Sequence, residues 1–555
     1  MSAILSDEEE LANGLGSEVI QVRKTSSGNH MARTKKRWSS SSGDKRPKLL
    51  NSTDAVHDDV NTDYISPGQL YSTESGRLFH AGKILIILVG LPATSKTLLS
   101  VAITRYTRWL GVRTRSFHVS SYRRKVSKVD YEKVPADYFS AVPKTKEGAK
   151  FRKDIVEEII SDMLKFFKES KGQLAVYDAL NILKQERQDL EKLFSKLNIK
   201  VLFIESVVND PELFKRNVEH ASKSADYRGW SKEDANKDYM NRLLINRPLY
   251  EEMTPQENLS YVKYINFGER LTVNNNHYGY LINKIVFFLM NLRDKKGCVY
   301  FARCGTSDND NYIDDEVLNR QGILYSKALT EMVLDRINNR RLSQEGSPAS
   351  SKVPSESPSM TSLTTSLTAS PRMSPLVPTS ATLRRTESTG NATMRQPASG
   401  DGTDEDSFVV WTAPRKRTYD TAVFFGEKGI DVRQRSQLQQ LHPGIVADLP
   451  ETEIKEKFPE EYEEYMKDPY HHRFPRAESY HDLAVRMEPL LLEMERMCGD
   501  ILIIGHESTL RVLYGYLMAC SCFEIPRLEF TRDELIEISF GPFENKVNRI
   551  PIKTD

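Results

Sequence analysis

Regular spacing of apolar positions begins at Lys83. From there, short apolar runs alternate with longer stretches in which apolar residues return every three or four positions. These are the periods of a strand and of an amphipathic helix. Strands are expected at Ile84–Val89, Leu174–Tyr177 and Val201–Ile204, and helices at Thr97–Trp109 and Lys153–Lys168. Such alternation builds a parallel sheet covered by helices. A second series opens near Cys298, with strands expected at Val299–Ala302, Phe408–Thr412 and Ile501–Ile504 and a helix at Ser479–Arg496. The expected fold is therefore two α/β domains, over residues 79–293 and 294–555.

Two segments carry no such period. Residues 1–78 are rich in Ser, Asp, Asn, Lys and Arg and are expected to be a disordered tail. Its basic stretch, Arg33 to Lys48, reads as a solvated tail, a nuclear address or a phosphorylation-controlled tail. Residues 343–406 are dominated by Ser, Thr and Pro, cannot bury a core, and are expected as a disordered insertion within the second domain. Ser343 follows Arg340-Arg341-Leu342, and Ser388 follows Arg384-Arg385-Thr386-Glu387. Both patterns suit a basophilic regulatory protein kinase, whose phosphate would add local charge.

Composition narrows the class. The 555 residues carry 78 basic and 77 acidic side chains, a net charge of +1, which selects neither nucleic acid nor a membrane as partner. The 5 cysteines form no disulfide framework, which fits a reducing compartment. The N-terminus has no secretory pattern, and the longest apolar run, Ile84 to Val89, is too short to span a bilayer. A cytoplasmic protein is expected.

The chemistry starts at Gly90-Leu91-Pro92-Ala93-Thr94-Ser95-Lys96-Thr97, between an expected strand and an expected helix. A loop in that setting turns backbone N–H groups toward phosphate oxygens at a helix N-terminus. Lys96 would reach the β and γ phosphates of a nucleotide, and Thr97 would hold Mg²⁺. Ser95 stands where such loops usually carry Gly. Asp178 ends the next strand, where an acidic residue suits Mg²⁺ or an activated hydroxyl.

Gly90 to Ala93, Thr104-Arg105-Tyr106, Tyr122-Arg123-Arg124, Asp178-Ala179, Glu205-Ser206, Asn209 to Glu212, Asp226-Tyr227, Gly229-Trp230 and Leu259-Ser260-Tyr261 together resemble the kinase domain of the 6-phosphofructo-2-kinase/fructose-2,6-bisphosphatase family, from about residue 82 to 293. The resemblance implies transfer of the ATP γ-phosphate to the 2-hydroxyl of fructose 6-phosphate. It gives Lys96 and Asp178 catalytic roles, Thr97 and Asp178 the metal, and Arg105 and Arg242 the sugar phosphate. It also implies a homodimer. Departures fall mainly on the sugar side: Leu180 for a Thr, Glu186 for an Arg with Arg187 beside it, Ala221 for a Lys with Lys223 nearby, and Asn246 for a Tyr. Val208 replaces a Cys.

The segment Tyr300 to Thr306, with Trp411-Thr412, Arg417-Thr418, Phe458 to Tyr462, Glu478-Ser479-Tyr480 and Gly505-His506-Glu507, resembles the histidine phosphatase half of the same family. That chemistry needs a His nucleophile and an acid for the leaving alkoxide. Cys304 and Gln440 stand at those positions. Arg303, Arg417, Arg473, His506 and Arg511 are expected to keep an anion pocket that binds a phosphosugar without cleaving it. Three functional readings follow: a kinase with a silent phosphatase domain, a non-catalytic regulator with two binding pockets, and a P-loop kinase for another substrate. The first is preferred because Lys96, Thr97, Asp178, Arg105 and Arg242 occur together.

Overall fold

The computed structural model describes residues 65–69, 82–126, 135–275, 279–308, 311–312, 317–345, 408–541 and 545–553. Ser388, most of the expected tail and nearly all of the expected insertion lie outside these residues, and for Ser343 only the backbone is described. The chain divides into a large unit, Met1–Leu334 with Glu405–Asp555, and a small one, Asp335–Asp404. Both sheets belong to the large unit. The described part of the small unit is the end of helix α8 (Arg320–Glu345), so the helical pattern runs slightly past the expected start of the insertion.

The first sheet contains β1 (Lys83–Val89), β2 (Thr114–His118), β3 (Leu174–Asp178), β4 (Ile199–Val207), β5 (Tyr261–Ile265) and β6 (Arg270–Asn274) in the order β2-β3-β1-β4-β5-β6. All pairings are parallel except β5 with β6. Leu88 of β1 lies level with Asp178 of β3, so the loop after β1 and the carboxylate at the end of β3 share one sheet edge. Helices α1 (Lys96–Trp109), α2 (Val119–Val126), α3 (Lys146–Lys168), α4 (Lys184–Lys196), α5 (Pro211–Ala221), α6 (Lys232–Asn246) and α7 (Tyr280–Asn291) complete the domain. Helix α3 starts earlier than its apolar period suggests, because the Thr145 hydroxyl caps it by accepting from Gly148 N at 3.0 Å.

The second sheet contains β7 (Val299–Arg303), β8 (Phe408–Thr412), β9 (Asp431–Gln434), β10 (Asp500–Gly505), β11 (Glu534–Ser539) and β12 (Lys546–Pro551) in the order β12-β11-β7-β10-β8-β9. β7, β10, β8 and β9 are parallel, and β11 and β12 are antiparallel additions. Its helices include α9 (Lys416–Thr421), α10 (Pro459–Lys467), α11 (Tyr480–Arg496) and α12 (Glu507–Leu517). A capping box between Ser479 and Asp482 starts α11.

Strand β1 is buried on both faces, and its alternation feeds two cores. Leu85, Ile87 and Val89 pack with Ile159 and Met163 of α3 and Phe194 of α4. Ile84, Ile86 and Leu88 pack with Leu99 and Ile103 of α1 and Ile285 of α7, and that core continues through Leu490 and Met494 of α11 and Tyr516 of α12. The apolar interiors of the two domains are thus joined. One polar contact within this junction is fully buried: Arg105 Nη2 donates to Glu495 Oε1 at 2.7 Å, and the Tyr516 hydroxyl donates to the same oxygen at 2.7 Å. Lys295 Nζ lies 3.8 Å from the other Glu495 oxygen.

Residues 65–69 depart from the expected tail. Gly68 N donates to Trp109 O at 2.9 Å, Tyr470 Oη to Pro67 O at 2.7 Å, and Cys522 N to Ile65 O at 2.9 Å. The close approach requires glycine, since a Cβ on Gly68 would lie 2.7 Å from Trp109 O.

Candidate functional site

The loop after β1 folds through two left-handed non-glycine residues, Ala93 at φ 65° and Ser95 at φ 60°. Each costs about 1–2 kcal/mol without a compensating contact. Asn217 of α5 supplies contacts to both, accepting from Ser95 Oγ at 2.9 Å and donating to Ala93 O at 2.8 Å. Tyr239 Oη accepts from Ala93 N at 2.8 Å. Gly90, at φ 146°, passes so near Ser206 that a Cβ would lie 2.6 Å from its carbonyl oxygen. The serine at the usual glycine position therefore reshapes the loop around Asn217 without opening it.

Lys96 opens α1 and folds back over the loop, donating to Gly90 O at 2.8 Å and Leu91 O at 2.5 Å. Burial pushes its ammonium down to about 8, with Asp178 acting in the opposite direction. The Thr97 hydroxyl donates to Asp178 Oδ2 at 2.7 Å. His118 Nδ1 lies 2.8 Å from the same oxygen, and His118 Nε2 lies 3.0 Å from Ser116 Oγ. Burial alone would raise the Asp178 pKa, but His118, Lys96 and Thr97 outweigh it and hold the carboxyl below its ordinary value. Asp178 is therefore a buried carboxylate that stays ionised.

Two cavities meet at Lys96 and Thr97. One, of about 220 Å³, is lined by residues 92–98, Arg123, Arg124, Asn217, Asp226 and Arg242 among others. The other, of about 160 Å³, reaches Arg123, Arg152, Tyr177, Asp178 and Leu180. Asp226 gathers the cations of the first: Arg124 Nη1 donates to it at 2.6 Å, Arg242 Nη1 lies at 3.3 Å, and Arg123 Nη2 also donates. Burial opposes ionisation of Asp226, yet the arginines hold it at about 2. The Arg242 and Arg123 guanidinium carbons lie 3.4 and 4.4 Å from the Phe139 ring centre.

The structure brings Lys96, Thr97, Asp178 and Arg242 together as expected, but not Arg105. Arg105 lines neither cavity, because its charge is committed to Glu495 in the domain junction. Arg187 does not replace the arginine expected at Glu186. It is completely buried, bonded to Glu257 at 2.7 and 3.0 Å and to the carbonyls of Ile182 and Glu251 at 3.0 Å. Glu186 pairs with Arg152, so one arginine of the second cavity has a carboxylate against it. Asn246 is structural: it donates to Phe139 O at 2.9 Å and accepts from Ala141 N at 2.8 Å, fixing the turn that carries the Phe139 ring.

His118, Asn217 and Asp226 escaped assignment from the sequence, as did the roles of Arg123 and Arg124. The available signal was positional. His118 ends a strand at the carboxyl edge of a parallel sheet, where ligand sites form, but β2 is too short and polar to stand out.

The C-terminal cavity, of about 320 Å³, is lined by Arg303, Arg417, Gln440, His506, Arg511 and Arg532 among others. Arg417 Nη1 donates to Ser307 Oγ at 2.8 Å, and its Nη2 lies 3.5 Å from His506 Nε2. Arg511 is anchored to the Tyr480 hydroxyl at 2.8 Å and Glu507 at 2.9 Å. Gln440 Oε1 accepts from Arg415 Nη1 at 3.0 Å. Cys304 is 1% exposed and not part of the lining; its backbone carbonyl accepts from Arg532 Nε at 2.9 Å. Arg473 is a correction: its side chain is 59% exposed, pairs with Asp482 at 2.5 Å and lies outside the cavity. The arrangement suits an anion, with guanidinium groups converging on the space.

Comparison with known proteins gives two family matches. Residues 71–296 match the 6-phosphofructo-2-kinase family, and residues 401–552 the histidine phosphatase superfamily, branch 1. A Saccharomyces cerevisiae protein named "Putative 6-phosphofructo-2-kinase/fructose-2,6-bisphosphatase YLR345W" is 55% identical over 100% of this chain and 99% of its own length. The S. cerevisiae "Fructose-2,6-bisphosphatase" is 28% identical over 84% of this chain and 88% of its own. The human "6-phosphofructo-2-kinase/fructose-2,6-bisphosphatase 4" is 27% identical over 84% of each chain. Among the described residues, no helix is long and apolar enough to cross a membrane.

Proposed function

Because the chain belongs to the 6-phosphofructo-2-kinase/fructose-2,6-bisphosphatase family, we propose that it transfers the γ-phosphate of ATP to the 2-hydroxyl of fructose 6-phosphate and that its C-terminal pocket binds a phosphosugar without hydrolysing it. The observation that carries the first half is the meeting of Lys96, Thr97 and Asp178 with the arginine-lined cavity.

The loop fits a nucleotide: its backbone and the Lys96 ammonium offer donors to phosphate oxygens. Thr97 Oγ1 and Asp178 Oδ2, 2.7 Å apart, are hard oxygen ligands suited to Mg²⁺. MgATP supplies the phosphoryl group and a cation that offsets its charge. Asp178, ionised and held by His118, is placed to take the proton of the attacking sugar hydroxyl. Arg242 and Arg123 hold the sugar phosphate, with Asp226 keeping both guanidinium groups in position until that phosphate competes for them.

In the C-terminal half, a phosphoryl acceptor and a leaving-group acid are both required. The buried Cys304 thiol and the Gln440 amide provide neither. The converging arginines remain, and they support binding alone.

The test is incubation with MgATP and fructose 6-phosphate, assayed for fructose 2,6-bisphosphate, with Lys96→Ala as control. Product that vanishes in the control supports the kinase. A second reading, a non-catalytic regulator, is favoured by the burial of Arg187 and the pairing of Glu186 with Arg152. Its outcome is nucleotide binding without product. Turnover of a different phosphosugar would select a kinase for another substrate.

A further inference from the structure

Away from both sites, Glu461 and Glu464 on α10 and His472 in the following loop each bring one ligand atom to within 4.8 Å of the other two. The glutamates are three residues apart, so they share one helix face. The His472 side chain is only 7% exposed. Its ring packs edge-to-face against Phe474 and Tyr465, with centroids at 4.7 and 6.0 Å, and its backbone N donates to Asp468 O at 3.0 Å. These contacts fix the imidazole close to the end of α10. Its Nε2 is buried and makes no hydrogen bond, although Glu461 Oε2 stands 3.4 Å away. A buried ring nitrogen in that state is costly. Glu461 stands at ion-pair distance from it, and Glu464 completes the acidic surround.

We propose that Glu461, Glu464 and His472 form a binding site for a divalent transition-metal ion of the Zn²⁺ class. One imidazole and two carboxylates are ligands such ions accept, with water completing the shell. Metal–ligand bonds of about 2.0–2.2 Å need ligand atoms closer together than 4.8 Å, and the glutamates can close that gap. Glu464 is exposed and Glu461 partly so, which leaves the ion a route in and the carboxylates room to rotate. His472, held by its neighbours, is the fixed point. An ion there ties α10 to the loop that leads into α11. None of its ligands lines the anion cavity, so the site is separate from it.

The test uses the full chain, stripped with a chelator and titrated calorimetrically with Zn²⁺, with Co²⁺ absorption as a spectroscopic readout of the ligand set. One Zn²⁺ per chain is expected, without competition from Mg²⁺. His472→Gln and the surface variant Glu464→Gln should each weaken binding at least about tenfold while circular dichroism stays unchanged. His471→Gln, whose residue lies outside the ligand set, should bind as the parent does. No uptake at sub-millimolar Zn²⁺ overturns the proposal. So does uptake that persists unchanged in both His472→Gln and Glu464→Gln.

Discussion

Arg105→Ala separates the role implied by resemblance from the role seen in the structure. As a ligand of the sugar phosphate, Arg105 would govern the KM for fructose 6-phosphate. In the structure it faces Glu495 across the domain junction, with side-chain exposures of 8% and 2%. Removing it strands a buried carboxylate, a change that costs about 3–5 kcal/mol. Tyr516 and Lys295 still contact Glu495 and bring the expected loss toward about 3 kcal/mol. The guanidinium also lies over the Tyr516 ring at 5.3 Å, adding about 0.5–1 kcal/mol. Urea unfolding followed by tryptophan fluorescence reports directly, because Trp109 packs edge-on against Tyr516 at 5.5 Å. Replacing both partners, Arg105→Met with Glu495→Met, should recover part of the loss, since no carboxylate is then stranded although Lys295 loses its nearby carboxylate. The pH dependence has a definite sign. Burial alone would raise the Glu495 pKa, but Arg105 and Lys295 hold it below the ordinary value. The pair's contribution is therefore present above the ordinary carboxylate range and lost as the pH falls through the lowered pKa. In Arg105→Ala that acid sensitivity should shrink. Stability within about 0.5 kcal/mol of the parent, together with a raised KM, would refute the structural assignment.

Three further outcomes are expected. ATP affinity, measured by calorimetry, should fall as the pH rises through about 8, because burial lowers the Lys96 pKa to that value and the ammonium loses its proton there. His118→Ala should lower kinase kcat by about 10–100-fold with little change in the KM for ATP, because Asp178 loses a donor while Lys96 stays in place. His118→Asn, which keeps an N–H, should recover part of it. The parent chain should bind fructose 2,6-bisphosphate without releasing phosphate, and Arg417→Ala should weaken that binding by about 1.5–3 kcal/mol, the worth of a charged hydrogen bond.

The elements legible in the sequence were those buried on both faces or strongly amphipathic. Ile84–Val89 and Ile501–Ile504 read as strands because every position is apolar, and α1 and α11 because their periods are sustained. Strands β2, β5, β6, β9, β11 and β12 were not legible. They lie at or near sheet edges, carry polar side chains, and owe their conformation to a neighbour rather than to a pattern of their own. The phosphate loop was legible as a motif, but its accommodation of Ser95 depends on Asn217, 122 residues away. Arg105 was misassigned for the same kind of reason. An arginine on a helix after a phosphate loop has the right chemistry for a sugar phosphate, and only the packing of a distant helix brings Glu495 to it. The Gln440 and Cys304 substitutions were visible from the sequence, but the withdrawal of Arg473 to the surface was not.

The shared core bears on what the C-terminal domain does for the chain apart from any reaction of its own. The helix that begins with Lys96 has Ile103 and Tyr106 within the same apolar cluster as Met494 and Tyr516. A truncated chain ending near residue 293 would present that face of the nucleotide-binding helix to water and leave Arg105 without its carboxylate. A silent phosphatase pocket would therefore not make the domain dispensable. It is a wall of the kinase domain, and substitutions in its buried helices should cost the chain as much as substitutions in the kinase domain's own core.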